Sequence, residues 1–324
     1  MKKALAYLFE REKTPLKGLT WYEWAMLTYV VFTTALIFFM HTRLADPSQM
    51  LWFRTQAVAM TTGLWLVYRL FPCRLTMFFR VSLQTLLLSL WYPDVYELNR
   101  SFACLDHLFA SWEQQLFGCQ PALLFSQQFP GGIVSELVEL GYAAYYPMIG
   151  LVLLWYFFYC YESFERCAFI ILASFFTYYV VYIFLPVVGP QYYYLAVGMD
   201  EIAAGHFPDL GHYFADHQEY LPIPGLEGGW FHHLVQTAHD AGERPSAAFP
   251  SSHVGVTVVL LFLAWRSRRL FFFLLPLFVL LCLGTVYIYA HYAIDVLGGL
   301  LSGALIYVCL ALLYRSFSET AKHR

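Results

Sequence analysis

The sequence predicts an all-α fold, a polytopic bundle of about eight membrane-spanning helices. Three observations carry this. Hydrophobic residues make up 60% of the chain and charged residues only 13%, a composition outside the range of soluble domains. The apolar residues are gathered in runs close to the roughly 20 residues that cross a hydrocarbon core. Most Lys and Arg residues fall in alternate gaps between those runs.

In order, the runs cover 22–40, 52–70, 75–92, 139–159, 167–187, 251–265, 270–289 and 292–314. The sixth is short for a span, and neighbouring protein would have to bury its ends. Residues 1–20 mix polar and apolar types without the apolar core of a cleavable signal peptide. They suit a surface helix limited by Pro15 and Gly18. Lys2, Lys3, Arg11, Lys13 and Lys17 precede the first run, and Arg69, Arg74 and Arg80 lie between the second and third. Arg166, then Arg266, Arg268 and Arg269, then Arg315, Lys322 and Arg324 continue the same side. Only Arg43, Arg54, Arg100 and Arg244 fall opposite. Basic loops stay cytoplasmic, so both termini are expected there, in a bacterial inner membrane or a eukaryotic endomembrane.

Two long connections then face outward. Residues 93–135 hold a helical piece, 98–117, suited to lying along the membrane surface. Cys104 and Cys119 belong to this connection; free thiols in apolar packing are the preferred reading, with a disulfide as the alternative. Residues 189–249 are rich in Gly, Pro and His and read as an irregular lid. Its histidines, 206, 212, 217, 232, 233 and 239, match no metal-ligand spacing, so neither metal nor other cofactor is expected. Gly299 and Gly303 mark close helix packing in the last run.

The chemistry is concentrated between Arg244 and Asp295. Arg-Pro-Ser-Ala-Ala-Phe-Pro-Ser-Ser-His ends at His253, just inside the sixth run, and His291 and Asp295 stand four residues apart at the start of the last. Residues at i and i+4 share a helical face, so Asp295 can hold one nitrogen of His291 and leave the other free to attack. A helix start at His253 attracts an anion, and the Arg244 guanidinium suits phosphate. One His near an acid is usually a satisfied polar contact; an ionisable residue inside an apolar run favours function. The site so assembled is one for phosphoryl transfer. With the charge pattern above, it falls on the outer face.

At these residues the chain resembles the type 2 phosphatidic acid phosphatase superfamily, whose signature runs Lys-x6-Arg-Pro, Pro-Ser-Gly-His and Ser-Arg-x5-His-x3-Asp. Arg244-Pro245, Pro250-Ser251-Ser252-His253, His291 and Asp295 match it. Thr237 stands where the Lys should be, and Gly284-Thr285 replace Ser-Arg, so two cations are missing. The branch resembling inositol phosphorylceramide synthase departs in the same way. Phe-Pro-Ser-Ser-His, Thr-Val-Tyr-x3-His-Tyr-x-Ile-Asp and Gly189-Pro190-Gln191-Tyr192 look like that branch.

The resemblance implies a membrane lipid phosphotransferase that moves a head group of inositol-phosphate type from a phospholipid to a lipid hydroxyl. His291 would be the nucleophile, Asp295 its support and His253 the acid and base. Arg244, Ser251 and Ser252 would bind phosphate; Gln191, Tyr192 and Tyr142 are candidates for the substrate cleft. Restoring a cation by Thr285→Arg is expected to favour monoester hydrolysis. The alternative is a phosphatase acting on phosphatidate or an isoprenyl phosphate. A proton-coupled transporter would need ionisable residues within several spans, whereas those of this chain are expected at one surface. Partners are a phospholipid substrate, a lipid acceptor and the bilayer, with no nucleic acid. The chain divides into an amino-terminal region, 1–135, and a catalytic five-span region, 136–324, expected to fold as one unit.

Overall fold

The computed structural model describes residues 2–242 and 244–322; the terminal charge of Arg324 lies outside them. Among the described residues the regular structure is helical, apart from one bridge between Arg11 and Cys73. The helices are α1 (Lys2–Leu8), α2 (Trp21–Met40), α3 (Pro47–Leu70), α4 (Arg74–Asn99), α5 (Asp106–Phe117), α6 (Pro121–Gln128), α7 (Ile133–Ala143) and α8 (Tyr145–Tyr159). They continue with α9 (Phe164–Phe184), α10 (Pro190–Val197), α11 (Met199–Ala203), α12 (Trp230–Gly242), α13 (Ser252–Ala264), α14 (Arg268–Tyr287) and α15 (Ala293–Lys322).

Four segments are long and apolar enough to cross a membrane: Trp21–Arg43, Tyr161–Phe184, Arg268–Tyr287 and Ala293–Glu319. A fifth follows if α7 and α8, bent by 45° at Ala144, act as one span. The expected count of about eight is higher, and the difference lies in three helices. At 24 and 26 residues, α3 and α4 have the length but carry more polar residues. By contrast, α13 is apolar but only 13 residues long.

The charges in α3 and α4 are internally matched. Arg54 reaches Asp94 at 2.6 Å, and the Arg80 guanidinium makes a two-pronged ion pair with Glu23 of α2. Ionisable residues are therefore not confined to one surface, as expected from sequence; two buried pairs lie among the amino-terminal helices. Each joins opposite charges, which is how such groups are tolerated away from water.

α9 is the central element. Residues 167–176 are all shielded, and the main buried cluster around it draws on α2, α4, α8, α13 and α14. Its two ends fix the polarity of the bundle. At its start, Glu165 accepts from Trp21 N at 3.1 Å, and Arg74 at the start of α4 lies over the Tyr161 ring just before α9. At its far end, Tyr182 bonds the Pro250–Ser252 segment. Outward, α15 shows Leu301, Leu305, Val308 and Leu312, apolar side chains suited to lipid.

Local departures from expectation have identifiable causes. α4 runs through Pro93 to Asn99, beyond the predicted end at residue 92. The outer connection is then α5 and α6, separated by Gly118 at φ 71°, rather than one helix over 98–117. The predicted lid, 189–249, is built of α10, α11, a 3₁₀ turn and α12 rather than irregular chain. Tyr192, Tyr193 and Tyr194 of its α10 are buried. At the amino terminus the helix is only α1, whose Tyr7 hydroxyl donates to the Phe157 carbonyl. Cys104 and Cys119 are unbonded; Cys104 donates to the Asp106 carboxylate at 3.1 Å rather than packing against apolar groups alone.

Candidate active site

Close helix contact sets the position of His253. A Cβ added at Gly303 would lie 2.4 Å from the Gly255 carbonyl oxygen, and one at Gly299 2.6 Å from that of Ser251. Only glycine lets the α13 and α15 backbones approach so closely. Ser251 N–H donates to the Asp295 carbonyl at 3.1 Å, which joins the start of α13 to the start of α15. The Ser251 hydroxyl accepts from Val254 N at 3.4 Å and caps α13, while Ser252 N–H donates to Tyr182 at 2.9 Å. Ser251 is fully buried and so committed to the cap; Ser252 is partly exposed.

His291 lies in the turn between α14 and α15, next to Tyr289, a non-glycine residue at φ 66°. That rare conformation persists only where its surroundings enforce it. Tyr289 O accepts from Gln191 N at 2.8 Å, and His291 N–H donates to the Thr285 carbonyl at 3.0 Å. The His291 ring is 3% exposed. Its Nδ1 is 2.8 Å from the Ala248 carbonyl oxygen and 3.5 Å from Asp295 Oδ2. A carbonyl can only accept, so Nδ1 carries the proton and Nε2 keeps its lone pair. Nε2 lies 3.3 Å from Nδ1 of His253, which therefore donates to it.

Asp295 supports this ring from further away than the i, i+4 spacing suggests. Its Oδ2 accepts from Tyr292 N at 2.8 Å, and Oδ1 has no hydrogen-bond partner among the described residues. The nearest acceptor for His291 is thus a backbone carbonyl. Ala248 is itself held by Val187, to whose carbonyl its N–H donates at 2.9 Å. Val188 N and Gly189 N donate to Asp106 at 2.8 and 2.9 Å, as does the Tyr292 hydroxyl at 3.0 Å. Gly189, at φ 93°, passes so near the site that a Cβ there would meet the Ala290 carbonyl at 2.7 Å. Asp106 is buried and ties three chain segments around His291.

The remaining predicted residues divide. Tyr142 stacks on His253 at 4.8 Å between ring centroids, with Tyr145 at 4.5 Å on the same ring. Gln191 and Tyr192 are buried at the start of α10, with Tyr192 edge-on to Tyr220. The Arg244 side chain is exposed, at the solvent edge, while Pro245–Ala248 beyond it are buried. Thr285 is wholly buried, its hydroxyl donating to the Cys282 carbonyl at 3.0 Å. A Cβ at neighbouring Gly284 would lie 2.3 Å from the Val138 carbonyl. An arginine at Thr285 would have to displace this packing, so the substitution expected to restore a cation would break the site instead.

Three residues were missed by the sequence reading. Asp106 is one. Glu113, fully buried on α5, accepts from Ile294 N at 3.1 Å; burial, reinforced by the charge of Asp295, pushes its carboxyl up to about 8. The third is His239 on α12, 2% exposed and 6.1 Å in ring separation from Tyr142. The available signal was its place four residues after buried Val235, on the inner face of an amphipathic helix. Of the other loop histidines, His206 goes to Glu201, His217 onto Tyr213, His232 to Glu139 and His233 beside Thr237.

Chemically, the arrangement offers an imidazole nitrogen that keeps its lone pair, facing a second imidazole that holds a proton. It is walled by the aromatic rings of Tyr142 and Tyr145. No curated protein and no solved structure matches the chain. The sequence profile described as the PAP2 superfamily does match, over residues 107–309. That span is well over half of the chain and takes in His253, His291 and Asp295, so the chain belongs to the PAP2 superfamily.

Proposed function

We propose that the protein is an integral membrane phosphotransferase that moves a phospho-head group from a phospholipid to a lipid hydroxyl through a phosphohistidine at His291. The supporting observation is the pairing of His291 Nε2 with His253 Nδ1 at 3.3 Å, with the opposite nitrogen of His291 already held by Ala248. Phosphate entering between the rings meets a nucleophile on one side and a proton donor on the other. In the first half-reaction Nε2 forms a bond to phosphorus, the bond to the diacylglycerol oxygen breaks, and His253 gives that oxygen its proton. In the second, His253 takes the proton of the acceptor hydroxyl, whose oxygen attacks phosphorus as the nitrogen–phosphorus bond breaks. The Ser252 hydroxyl and Arg244 are the candidates for the phosphate oxygens, Arg244 from the solvent edge.

A diester of inositol-phosphate type, with ceramide or diacylglycerol as acceptor, is favoured by charge. The positions of the two absent cations, Thr237 and Thr285, carry hydroxyls. A phosphomonoester brings about two negative charges near neutrality, as phosphoserine does, and a diester brings one. This is the branch that resembles inositol phosphorylceramide synthase. We further propose eight crossings, with α3, α4 and α13 completing the set, cytoplasmic termini and an outward-facing site.

The test is to incubate purified protein with labelled phosphatidylinositol plus ceramide or diacylglycerol, and separately with phosphatidate. Acceptor-dependent transfer of the head group is the expected result. Rapid phosphate release from phosphatidate, with no acceptor-dependent product, would make a lipid phosphatase the correct reading. For sidedness, a cysteine at exposed Glu227 should react with an impermeant thiol reagent in intact cells, and one appended after Arg324 should not.

A further inference from the structure

We propose that His239 is a phosphate-binding residue of this site, a third histidine that meets the substrate's phosphate with the positive charge that Thr237 and Thr285 do not supply. The inference rests on the phosphoryl-transfer reading above and adds a residue to it. Thr237 occupies the position of the missing lysine, but its side chain is exposed and its hydroxyl donates to the His233 carbonyl at 2.7 Å. His239 is two residues on, about 200° around the same helix, and it is α12's buried polar residue. Neither of its ring nitrogens has a hydrogen-bond partner among the described residues. A buried imidazole with both nitrogens unsatisfied loses the hydration of each without replacement, which points to a partner that arrives with the ligand.

The neighbours of His239 place it beside the reacting groups. Tyr142 of α7 packs on His239 at 6.1 Å and on His253 at 4.8 Å, so one ring touches both histidines. His239 is also near enough to His253 to interact with it electrostatically. On the other side Tyr220 lies 6.0 Å away in ring separation. The acid beside His239 on its own helix, Asp240, is exposed, and its carboxylate accepts from Tyr220 and Gln236 at 2.7 and 2.9 Å. The groups around His239 are therefore two tyrosines, a histidine and an acid engaged elsewhere; none competes with an incoming anion.

Without an anion, burial holds the His239 imidazole down to about 4. A phosphate within hydrogen-bond reach favours the charged form, so His239 should take up a proton as the ligand binds. Such a residue is uncharged in the empty site and cationic only when phosphate is present.

The experiment measures proton uptake on anion binding. Diethyl phosphate is the probe, a singly charged diester that does not itself titrate near neutrality. It is titrated into purified full-length protein at pH 6.5 by calorimetry, in buffers of different ionisation enthalpy. Wild type should take up close to one proton per bound anion. His239→Gln, which keeps a hydrogen-bond donor but cannot be protonated, should bind at least tenfold more weakly and without that uptake. The same variant should raise KM for the lipid donor more than it lowers kcat, and thermal unfolding should confirm that it is folded. Absence of binding, binding by wild type without proton uptake, or equal uptake in His239→Gln would overturn the proposal. Proton-linked binding that depends on His239, with no lipid turnover by wild type, would instead overturn the function proposed above and leave this site standing.

Discussion

In the amino-terminal helices Glu23 meets Arg80 and Asp94 meets Arg54. Around His253 and His291 the buried carboxylates meet no such cation: Asp106 receives backbone N–H groups, a hydroxyl and a thiol, Glu113 receives one N–H, and Asp295 one N–H beside a histidine. The first arrangement is matched in charge, although Arg54 Nε and Nη2 and Arg80 Nη1 keep buried N–H groups without hydrogen-bond partners among the described residues. The second leaves lone pairs and imidazole nitrogens unengaged in a water-poor place, where such groups are expensive unless something completes them. Matched charge builds the scaffold, and buried carboxylates and imidazoles without a counter-charge mark the candidate site.

The largest expected effect is on the unmatched side. His291→Ala should reduce lipid turnover by roughly a thousandfold or more, with extraction, elution and thermal unfolding like those of wild type. Asp295→Asn should cost less, roughly ten- to a hundredfold, because the Ala248 carbonyl continues to hold the Nδ1 proton. Equal losses from the two substitutions would show that the carboxylate, rather than the carbonyl, orients the ring.

The matched side should respond in stability instead of chemistry. Arg80→Met leaves Glu23 buried without its partner, and breaking such a pair destabilises by about 3–5 kcal/mol. Glu23→Met together with Arg80→Met should recover most of that loss, since two apolar side chains leave no stranded charge. Thermal unfolding reads both, and turnover per folded molecule should stay within twofold of wild type. A folded Arg80→Met protein with its turnover abolished would mean that the ion pair takes part in the function.

Glu113 lies between these cases and predicts a pH effect. Its folded-state value, about 8, is above the ordinary carboxylate range. The folded protein therefore binds more protons than the unfolded one, and stability falls as pH rises from about 4.5 to 8. Glu113→Gln mimics the protonated form and should flatten that slope, a change of a few kcal/mol at most, with turnover near pH 6 retained. An unchanged slope would place the ionised carboxylate in the native state across the whole range.

Much of this was legible in the sequence because it depends on residue type at fixed spacing. Gly299 and Gly303 announced close packing of the last helix, though not that α13 is its partner, and His253, His291 and Asp295 their convergence. What was hidden is either main chain or orientation. The Ala248 carbonyl that holds His291 carries no residue identity, so no spacing can reveal it. Asp106 reaches His291 only through Gly189 and Tyr292, contacts remote in sequence. The lid looked irregular because its α10 and α11 are short and Gly-bounded, yet three buried tyrosines fasten it. Pro93 resembled a stop but is accommodated within α4.

The smallest expected effect tests orientation alone. Motif spacing assigns the first cation of the family to Thr237, which would make Thr237→Lys the substitution that restores phosphatase character. In the folded chain α12 turns Val235 and His239 inward, and Thr237 faces solvent. A lysine there would extend into water, where a charge is strongly screened over distances beyond about 10 Å. The ratio of monoester hydrolysis to head-group transfer should therefore stay within about twofold of wild type, and KM for phosphatidate should hardly move. His239→Gln on the same helix should change substrate affinity at least tenfold. The two positions differ by only two residues but by more than half a helical turn, so the pair separates what sequence register assigns from what the helix presents. If Thr237→Lys converts the protein to an efficient phosphatidate phosphatase, then α12 must rotate when substrate binds, and the distinction between its inner and outer faces belongs to the empty enzyme alone.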